Sequence, residues 1–143
     1  MVAGPRIDPA TLPAQDGLEL HGYVHGLYWH LAGCDLAVVQ GGLTTTMELT
    51  AARRPFIYMP LQHHFEQNFH VRYPLDRYGA GRCVDYEDTG PESLAQAIAG
   101  EMDRPVGYRP VETDGAARRR LPGRAHLTRL ATVCASRRTW ARA

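Results

Sequence analysis

Apolar residues in the first hundred positions fall into short runs separated by segments with helical spacing. The continuous apolar runs DLAVVQ (35–40) and PFIYMP (55–60) are typical of strands buried on both faces. The stretches LELHGYV (18–24) and GRCVDY (81–86) also predict strands, the first from its alternation. The strands therefore recur along the chain with room for a helix between successive ones.

Helical spacing fills those gaps. It predicts helices over 26–33, 44–53, 65–78 and 90–102. The second of these helices must end before Pro55, and Pro74 must kink or divide the third. Pro91 falls in the first turn of the last, where a missing N–H costs nothing. Strands that alternate with helices predict an α/β fold, a Rossmann-like parallel sheet with flanking helices on both faces.

The regular pattern ends near residue 107. Residues 1–107 are predicted to form one α/β domain, and residues 108–143 an Arg-rich, poorly ordered tail. The tail has two interpretations, a flexible arm or the translation of a shifted reading frame. The opening VAGPRIDP resembles the end of a strand with nothing before it, so we expect the domain to be incomplete at its N-terminus.

Composition narrows the class of protein. A chain of 143 residues with 44% hydrophobic and 22% charged residues suits one soluble domain. It has neither an 18-residue apolar stretch nor the features of a signal peptide, so we expect no transmembrane segment and a cytoplasmic location. Its cysteines, Cys34, Cys83 and Cys134, form no disulfide framework and no metal-binding pair.

Charge argues against nucleic acid as a partner. The chain has no lysine, and half of its 16 basic residues lie beyond residue 115. Residues 1–115 carry the other eight arginines against 15 acidic residues, which would repel a phosphate backbone. The arginines of the tail also lack the sustained period of a recognition helix. We therefore expect no nucleic-acid binding.

The turn QGGLTTT (40–46) joins a predicted strand to a predicted helix. Free N–H groups and the helix dipole at such a place form an anion site, which Gly41 and Gly42 would let a phosphate approach closely. The hydroxyls of Thr45 and Thr46 would add donors. The turn is not a Walker A loop, because no lysine follows it. The alternative is a tight structural turn, with a threonine cap and Glu48 favoured by the dipole.

A second polar cluster follows the next predicted strand. The segment MPLQHHFEQNFH (59–70) carries amides, imidazoles and one carboxylate, which suit sugar hydroxyls better than phosphate. Because the carboxyl ends of parallel strands share one edge, the two clusters together predict a nucleotide-sugar site. Among these side chains, His63, His64 and His70 could be proposed as a base, and the adjacent His63 and His64 as a metal pair. A third metal ligand at workable spacing is not evident, so we expect no metal.

These two segments resemble known proteins. QGGLTTTME followed by RPFIYMPLQHHFEQN is similar to the donor-binding half of GT-B fold glycosyltransferases, in particular the family 28 C-terminal domain and the related UDP-glycosyltransferases. The resemblance covers about residues 1–102. It implies the C-terminal half of a GT-B fold and a UDP- or dTDP-sugar as substrate for hexosyl transfer, with no further cofactor.

The resemblance also implies roles for individual residues. Those implied for the diphosphate are Gln40, Gly41, Gly42, Thr45 and Thr46. Glu48 would accept hydrogen bonds from the ribose, and Tyr23 and Val24 would contact the base. Those implied for the sugar are His63, Glu66, Gln67 and Asn68. Two departures stand out: Gln40 replaces a histidine found in many members, and Thr44 replaces a glycine.

The resemblance further implies a missing half. In this family an N-terminal domain holds the acceptor and usually the catalytic base, and the chain has no segment that matches it. We therefore expect an isolated chain without turnover, acting with an acceptor-domain partner or forming a homodimer through its uncovered face. The alternative is a non-catalytic remnant or a regulatory nucleotide-binding module.

Overall fold

A computed structural model describes residues 1–62, 64–102 and 104–115 of the chain. The chain divides into two units, Met1–Arg109 and Pro110–Ala143, of which the first is described below. Most of the predicted tail, including Cys134, lies outside the described residues.

Three short parallel strands form the sheet of the first unit. They are β1 (Ala37–Val39), β2 (Phe56–Tyr58) and β3 (Arg82–Cys83), in the spatial order β1-β2-β3. Val38 pairs with Ile57, and Tyr58 pairs with Cys83. The predicted parallel sheet is confirmed, with strands shorter than their apolar runs.

Within the described residues, four α-helices accompany the strands, as predicted. They are α1 (Leu27–Gly33), α2 (Leu43–Ala51), α3 (Arg72–Tyr78) and α4 (Pro91–Met102), with a short 3-10 turn at Pro9–Thr11. A π-helical segment, Glu66–Val71, leads directly into α3. This wider turn lies just before Pro74, whose ring would crowd the His70 carbonyl in a regular helix. The predicted helix over 65–78 is therefore divided, as its proline requires.

The predicted strand over 18–24 is reduced to a single bridge. Val2 pairs with His21 in parallel, the Ala3 amide donates to the His21 carbonyl at 2.8 Å, and the His21 amide donates to the Met1 carbonyl at 2.9 Å. A strand is stabilised by its cross-strand neighbours, and here the only neighbour described is the short opening segment. Alternation alone was insufficient to predict the length of this element.

The core lies on one face of the sheet. Phe56 and Tyr58 pack there with Leu49 of α2 and Leu75 of α3, and all four are at most 1% exposed. Each such side chain contributes roughly 1.5–3 kcal/mol through its burial. Ile57 alternates to the opposite face and is also fully buried, and α4 contacts β2.

The two faces of β1 differ from those of β2. The run PFIYMP was predicted to be buried on both faces, and β2 confirms this. The same prediction for DLAVVQ is wrong on one face, because Val38 is 46% exposed. In the described residues α4 contacts β2, and this leaves the neighbouring Val38 partly in solvent.

The end of this unit crosses the amino edge of the sheet. Tyr108 packs edge-on against Phe56, with ring centroids 6.0 Å apart. The Arg53 guanidinium donates to the Val106 carbonyl at 3.3 Å. Gly81, at φ +68°, accommodates the Phe56 ring, since a Cβ there would lie 2.3 Å from a ring carbon. Among the described residues, no helix combines the length and apolarity needed to cross a bilayer.

Candidate functional site

The carboxyl ends of the three strands meet at one edge. The Met59 amide donates to the Val39 carbonyl, and the Val84 amide donates to the Tyr58 carbonyl, each at 3.0 Å. These bonds carry the parallel ladder to the ends of the strands and set the following loops side by side. Ligands of open α/β sheets bind outside such an edge.

The turn after β1 is made by two glycines in different conformations. Gly41 is buried at φ +85°, and a Cβ there would lie 3.4 Å from Pro60 Cα. The left-handed backbone therefore favours glycine at this position, and the segment after β2 lies within van der Waals contact of it. Gly42 is extended (φ −72°, ψ 138°) and exposed, and a Cβ there would meet nothing within 4 Å.

Helix α2 begins immediately after this turn. Its first hydrogen bond joins the Thr46 amide to the Gly42 carbonyl at 3.1 Å. The amides of Leu43, Thr44 and Thr45 therefore precede the hydrogen-bonded ladder and project from the helix start. With the positive end of the helix dipole, they form a set of donors suited to an anion.

The threonines of this turn differ in exposure. Thr46 is fully buried, and its hydroxyl lies 3.0 Å from the Gly42 carbonyl and 3.1 Å from the Leu43 carbonyl. Its hydroxyl therefore stabilises the first turn of the helix. Thr45 is partly buried and Thr44 is exposed. Thr44, which the resemblance marked only as a departure, is thus the most accessible hydroxyl here.

Tyr23, Val24 and Glu48 lie together. All three line a cavity of about 540 Å³, along with Gly26 and Tyr28. Helices α1 and α2 contact each other, which brings the loop before α1 beside Glu48 on α2. The Tyr23 ring is 70% exposed. The structure therefore gathers the residues for which the resemblance implied base and ribose contacts, although they are 24 or more positions apart in sequence.

The segment after β2 is held by side-chain amides. Gln67 Oε1 accepts a hydrogen bond from the Leu61 amide at 2.8 Å. Asn68 Nδ2 lies 3.0 Å from the Leu61 carbonyl and 3.1 Å from the carbonyls of Gln62 and His64. Both residues belong to the π-helical segment and fold back on the loop that precedes it. His63 and the side chain of Glu66 lie outside the described part of the structure.

The loop after β3 joins the same edge. Gln62 Nε2 donates to Glu87 Oε2 at 2.7 Å, and the Glu87 amide donates to Asp85 Oδ1 at 3.2 Å. Tyr86 is 74% exposed. A cavity of about 350 Å³ adjoins these loops; its lining residues are Val38, Val39, Gln40, Met59, Leu61 and Tyr86. Sequence reasoning missed Tyr86 and Glu87, although their place after the third strand could have indicated them.

Tyr58 lies beneath the turn after β1. Its ring lies under Gly41, where a Cβ would be 3.6 Å from Tyr58 Cδ2. Burial, and then the neighbouring Cys83 thiol, raise the pKa of the Tyr58 hydroxyl well above its usual range. The phenol is therefore neutral at physiological pH. Within the described ranges, no group of three His, Cys, Asp or Glu side chains could hold a metal ion.

Comparison with known proteins gives the family context of this site. Residues 14–111 match the model of the glycosyltransferase family 28 C-terminal domain. Two similar curated proteins are both UDP-N-acetylglucosamine--N-acetylmuramyl-(pentapeptide) pyrophosphoryl-undecaprenol N-acetylglucosamine transferases. That of Proteus mirabilis is 34% identical over 64 residues, which are 45% of this chain and 18% of the relative. That of Yersinia enterocolitica is 34% identical over 78 residues, which are 52% of this chain and 21% of the relative.

A solved structure shares the fold. The crystal structure of the glycotransferase of kitacinnamycin superposes with a TM-score of 0.57 and 22% identity, over 73% of this chain and 26% of that chain. This likeness confirms the Rossmann-like architecture. The chain spans about a fifth of the length of the curated relatives it matches.

Proposed function

Because the chain belongs to the glycosyltransferase family 28 C-terminal domain family, we propose that it binds the nucleoside diphosphate sugar donor of a hexosyl transfer. The donor would be a UDP- or dTDP-sugar. The relatives' names specify UDP-N-acetylglucosamine, which is therefore the first donor to test.

One observation carries the proposal. The cavity lined by Tyr23, Val24 and Glu48 adjoins helix α2, whose first-turn amides have no acceptor within the helix. A nucleoside diphosphate needs an aromatic or apolar contact for its base, an acceptor for its ribose hydroxyls and donors for its phosphates. The described residues offer all three on α2 and the loop beside it.

Each residue then has a physical role. Tyr23 and Val24 would contact the base, and the Glu48 carboxylate would accept hydrogen bonds from the ribose. The amides after Gly42 and the Thr45 hydroxyl would donate to the diphosphate, with Gly41 allowing close approach of the backbone. Gln40, which follows β1, would donate its side-chain amide where many family members place a histidine. In this assignment Thr46 shapes the helix start from inside.

In this proposal the acceptor is bound outside the donor-binding domain. Inverting sugar transfer needs a base that takes the proton of the acceptor hydroxyl. Since the chain spans about a fifth of its relatives, we assign the acceptor site and that base to a separate domain or protein partner. The purified chain should then bind UDP and release none from a UDP-sugar on its own.

Calorimetric titration of UDP into the purified chain tests the donor site. UDP should bind to the native chain. Glu48→Ala should lower the affinity for UDP by about tenfold, which corresponds to the loss of a hydrogen bond to a charged group. If Glu48 holds the ribose, 2′-deoxy- or 3′-deoxy-UDP should bind the native chain more weakly than UDP does. The Glu48→Ala variant should bind UDP and that deoxy analogue with equal affinity. Glu92→Ala, at an exposed position on α4, is the matched control.

Two results would contradict the proposal. The first is an absence of heat at millimolar UDP with a folded protein, which would favour the alternative of a non-catalytic remnant. The second is a Glu48→Ala variant that still discriminates between UDP and its deoxy analogues.

A further inference from the structure

A side-chain hydrogen bond joins two of the loops at the carboxyl edge. Gln62, after β2, donates through Nε2 to Glu87 Oε2, after β3, at 2.7 Å. Both residues are exposed. The pair is therefore open to solvent and stands where a ligand can reach it.

The backbone of the loop that carries Gln62 is held by hydrogen bonds to two side-chain amides. Asn68 Nδ2 lies within 3.1 Å of the carbonyls of Leu61, Gln62 and His64, and Gln67 Oε1 accepts from the Leu61 amide. An amide nitrogen carries two hydrogens, so three carbonyls at this distance share its donors. The loop is consequently preorganised by Asn68, and Gln62 projects from a fixed point.

The pair leaves polar atoms available. Only one carboxylate oxygen of Glu87 is used by Gln62, and the side-chain oxygen of Gln62 accepts nothing in the described structure. A carboxylate beside an amide oxygen can accept hydrogen bonds from two neighbouring hydroxyls. The adjoining Tyr86 presents a ring that is 74% exposed, an apolar surface suited to the C–H face of a sugar.

The location joins this pair to the donor site. Tyr86 and Leu61 line the same cavity as Gln40, the first residue of the diphosphate turn. From that turn, helix α2 leads to Glu48 in the other cavity. A donor whose ribose meets Glu48 and whose phosphates meet the turn therefore has its sugar near the loops after β2 and β3.

We propose that Gln62 and Glu87 recognise the sugar hydroxyls of the donor, with Tyr86 beneath the ring and Asn68 as the positioning residue. This inference rests on the proposed function and extends it to Tyr86 and Glu87, which lie outside the family motif. Gln67 and Asn68 then act on the sugar through the loop that they hold, and Glu87 determines which hydroxyl pattern is accepted.

The test compares UDP with UDP-N-acetylglucosamine and UDP-glucose on each variant by calorimetry. Glu87→Ala should lower the affinity for at least one UDP-sugar by about fivefold to tenfold and leave the affinity for UDP unchanged. Asn68→Asp, which keeps the side-chain size and turns a donor toward three carbonyls into an acceptor, should do the same. Asp88→Ala, at the neighbouring exposed position, should alter neither affinity.

A second measurement separates positioning from direct contact. In ligand-free protein, Asn68→Asp should speed hydrogen exchange at the amides of Leu61 and His64, while Glu87→Ala should leave Leu61 unchanged. Unaltered exchange in Asn68→Asp would overturn the positioning role. Intact UDP-sugar affinity in Glu87→Ala would overturn the recognition role. An absence of UDP binding to the native chain would refute the donor site itself. This result is distinguishable from the other two outcomes, because UDP still binds to the native chain in both of them.

Discussion

The two loops that border the candidate site are built in opposite ways. The turn after β1 is almost all backbone: Gly41 packs against Pro60, Gly42 is exposed, and the first amides of α2 have no helical acceptor. The segment after β2 is clamped by side chains, with Gln67 and Asn68 bonded to its own backbone. One loop presents amides that have no helical acceptor, and the other uses the oxygen of one side-chain amide and the nitrogen of another to hold its shape.

This difference matches two kinds of ligand group. Phosphate oxygens are satisfied by several amides and a dipole, which only uncovered backbone at a helix start supplies. Sugar hydroxyls differ from one sugar to another by their direction, so they are distinguished by side chains held at fixed positions. The comparison predicts that changes in the first loop alter UDP affinity, whereas changes in the second alter the response to the sugar.

Gly42→Asp should have the largest effect, on the first loop. The new carboxylate would stand at the N-cap, where Asp stabilises a helix, and a Cβ there is unobstructed. The same carboxylate would repel the diphosphate at the site where its charge must be neutralised. We expect UDP affinity to fall by about a hundredfold, roughly 2.7 kcal/mol, with the melting temperature unchanged or raised.

Gly42→Ala is the control for that variant. It adds a methyl group without charge, so UDP affinity should change by less than about threefold, under 1 kcal/mol. Equal losses in the Ala and Asp variants would mean that bulk, and not charge, governs the turn. Unchanged UDP affinity in Gly42→Asp would remove the diphosphate from this position.

Gly41→Ala should strain the first loop. At φ +85° a side chain is strained, whereas the added Cβ would make only van der Waals contact with Pro60 at the start of the second segment. We expect a loss of about 1–2 kcal/mol in the free energy of unfolding, measured by urea denaturation. UDP affinity should fall by a smaller factor than in Gly42→Asp. A Gly41→Ala protein as stable as the native chain would show that the left-handed backbone at this position is not strained by a side chain.

The outcomes for particular residues show how far sequence reasoning reached. The turn at 40–46 was predicted because strand, glycines and helix are contiguous, so local pattern fixes their relation. Tyr23 and Glu48 come together through contact of α1 with α2, which the family resemblance supplied and periodicity could not. The partners of Asn68 were missed, because a side-chain amide that bonds to backbone leaves no periodic trace. Glu87 was missed because its partner is 25 positions away.

Tyr58, under the turn after β1, gives a pH dependence. Burial raises the pKa of its hydroxyl in the folded chain, so the folded state retains a proton that the unfolded state loses above about pH 10. The stability contributed by the neutral phenol is therefore complete below pH 10 and falls as pH rises further. Since the chain has no lysine, its tyrosines and cysteines are the side-chain types whose ordinary pKa values fall near that window.

The measurement is the free energy of unfolding between pH 9 and 11. Its slope should reach at most about −1.4 kcal/mol per pH unit for this one group. Tyr58→Phe should flatten the curve, and Tyr23→Phe, at a residue 70% exposed, should leave it unchanged. Identical slopes in native and Tyr58→Phe proteins would place the alkaline transition elsewhere, with the buried Tyr108 and Cys34 as the next groups to test.

Gln67→Ala should have the smallest effect, and it tests most directly whether the two loops have separate roles. It removes the acceptor of the Leu61 amide while Asn68 still holds the carbonyls of that loop. The amide is at an exposed position and can turn to water, so we expect a loss of only about 0.5–1 kcal/mol. If the loop positions Gln62 for the sugar, UDP-sugar affinity should fall a few-fold while UDP affinity stays constant. A fall in UDP affinity of the same size would mean that the two loops form one cooperative unit, and the division of labour between them would then be wrong.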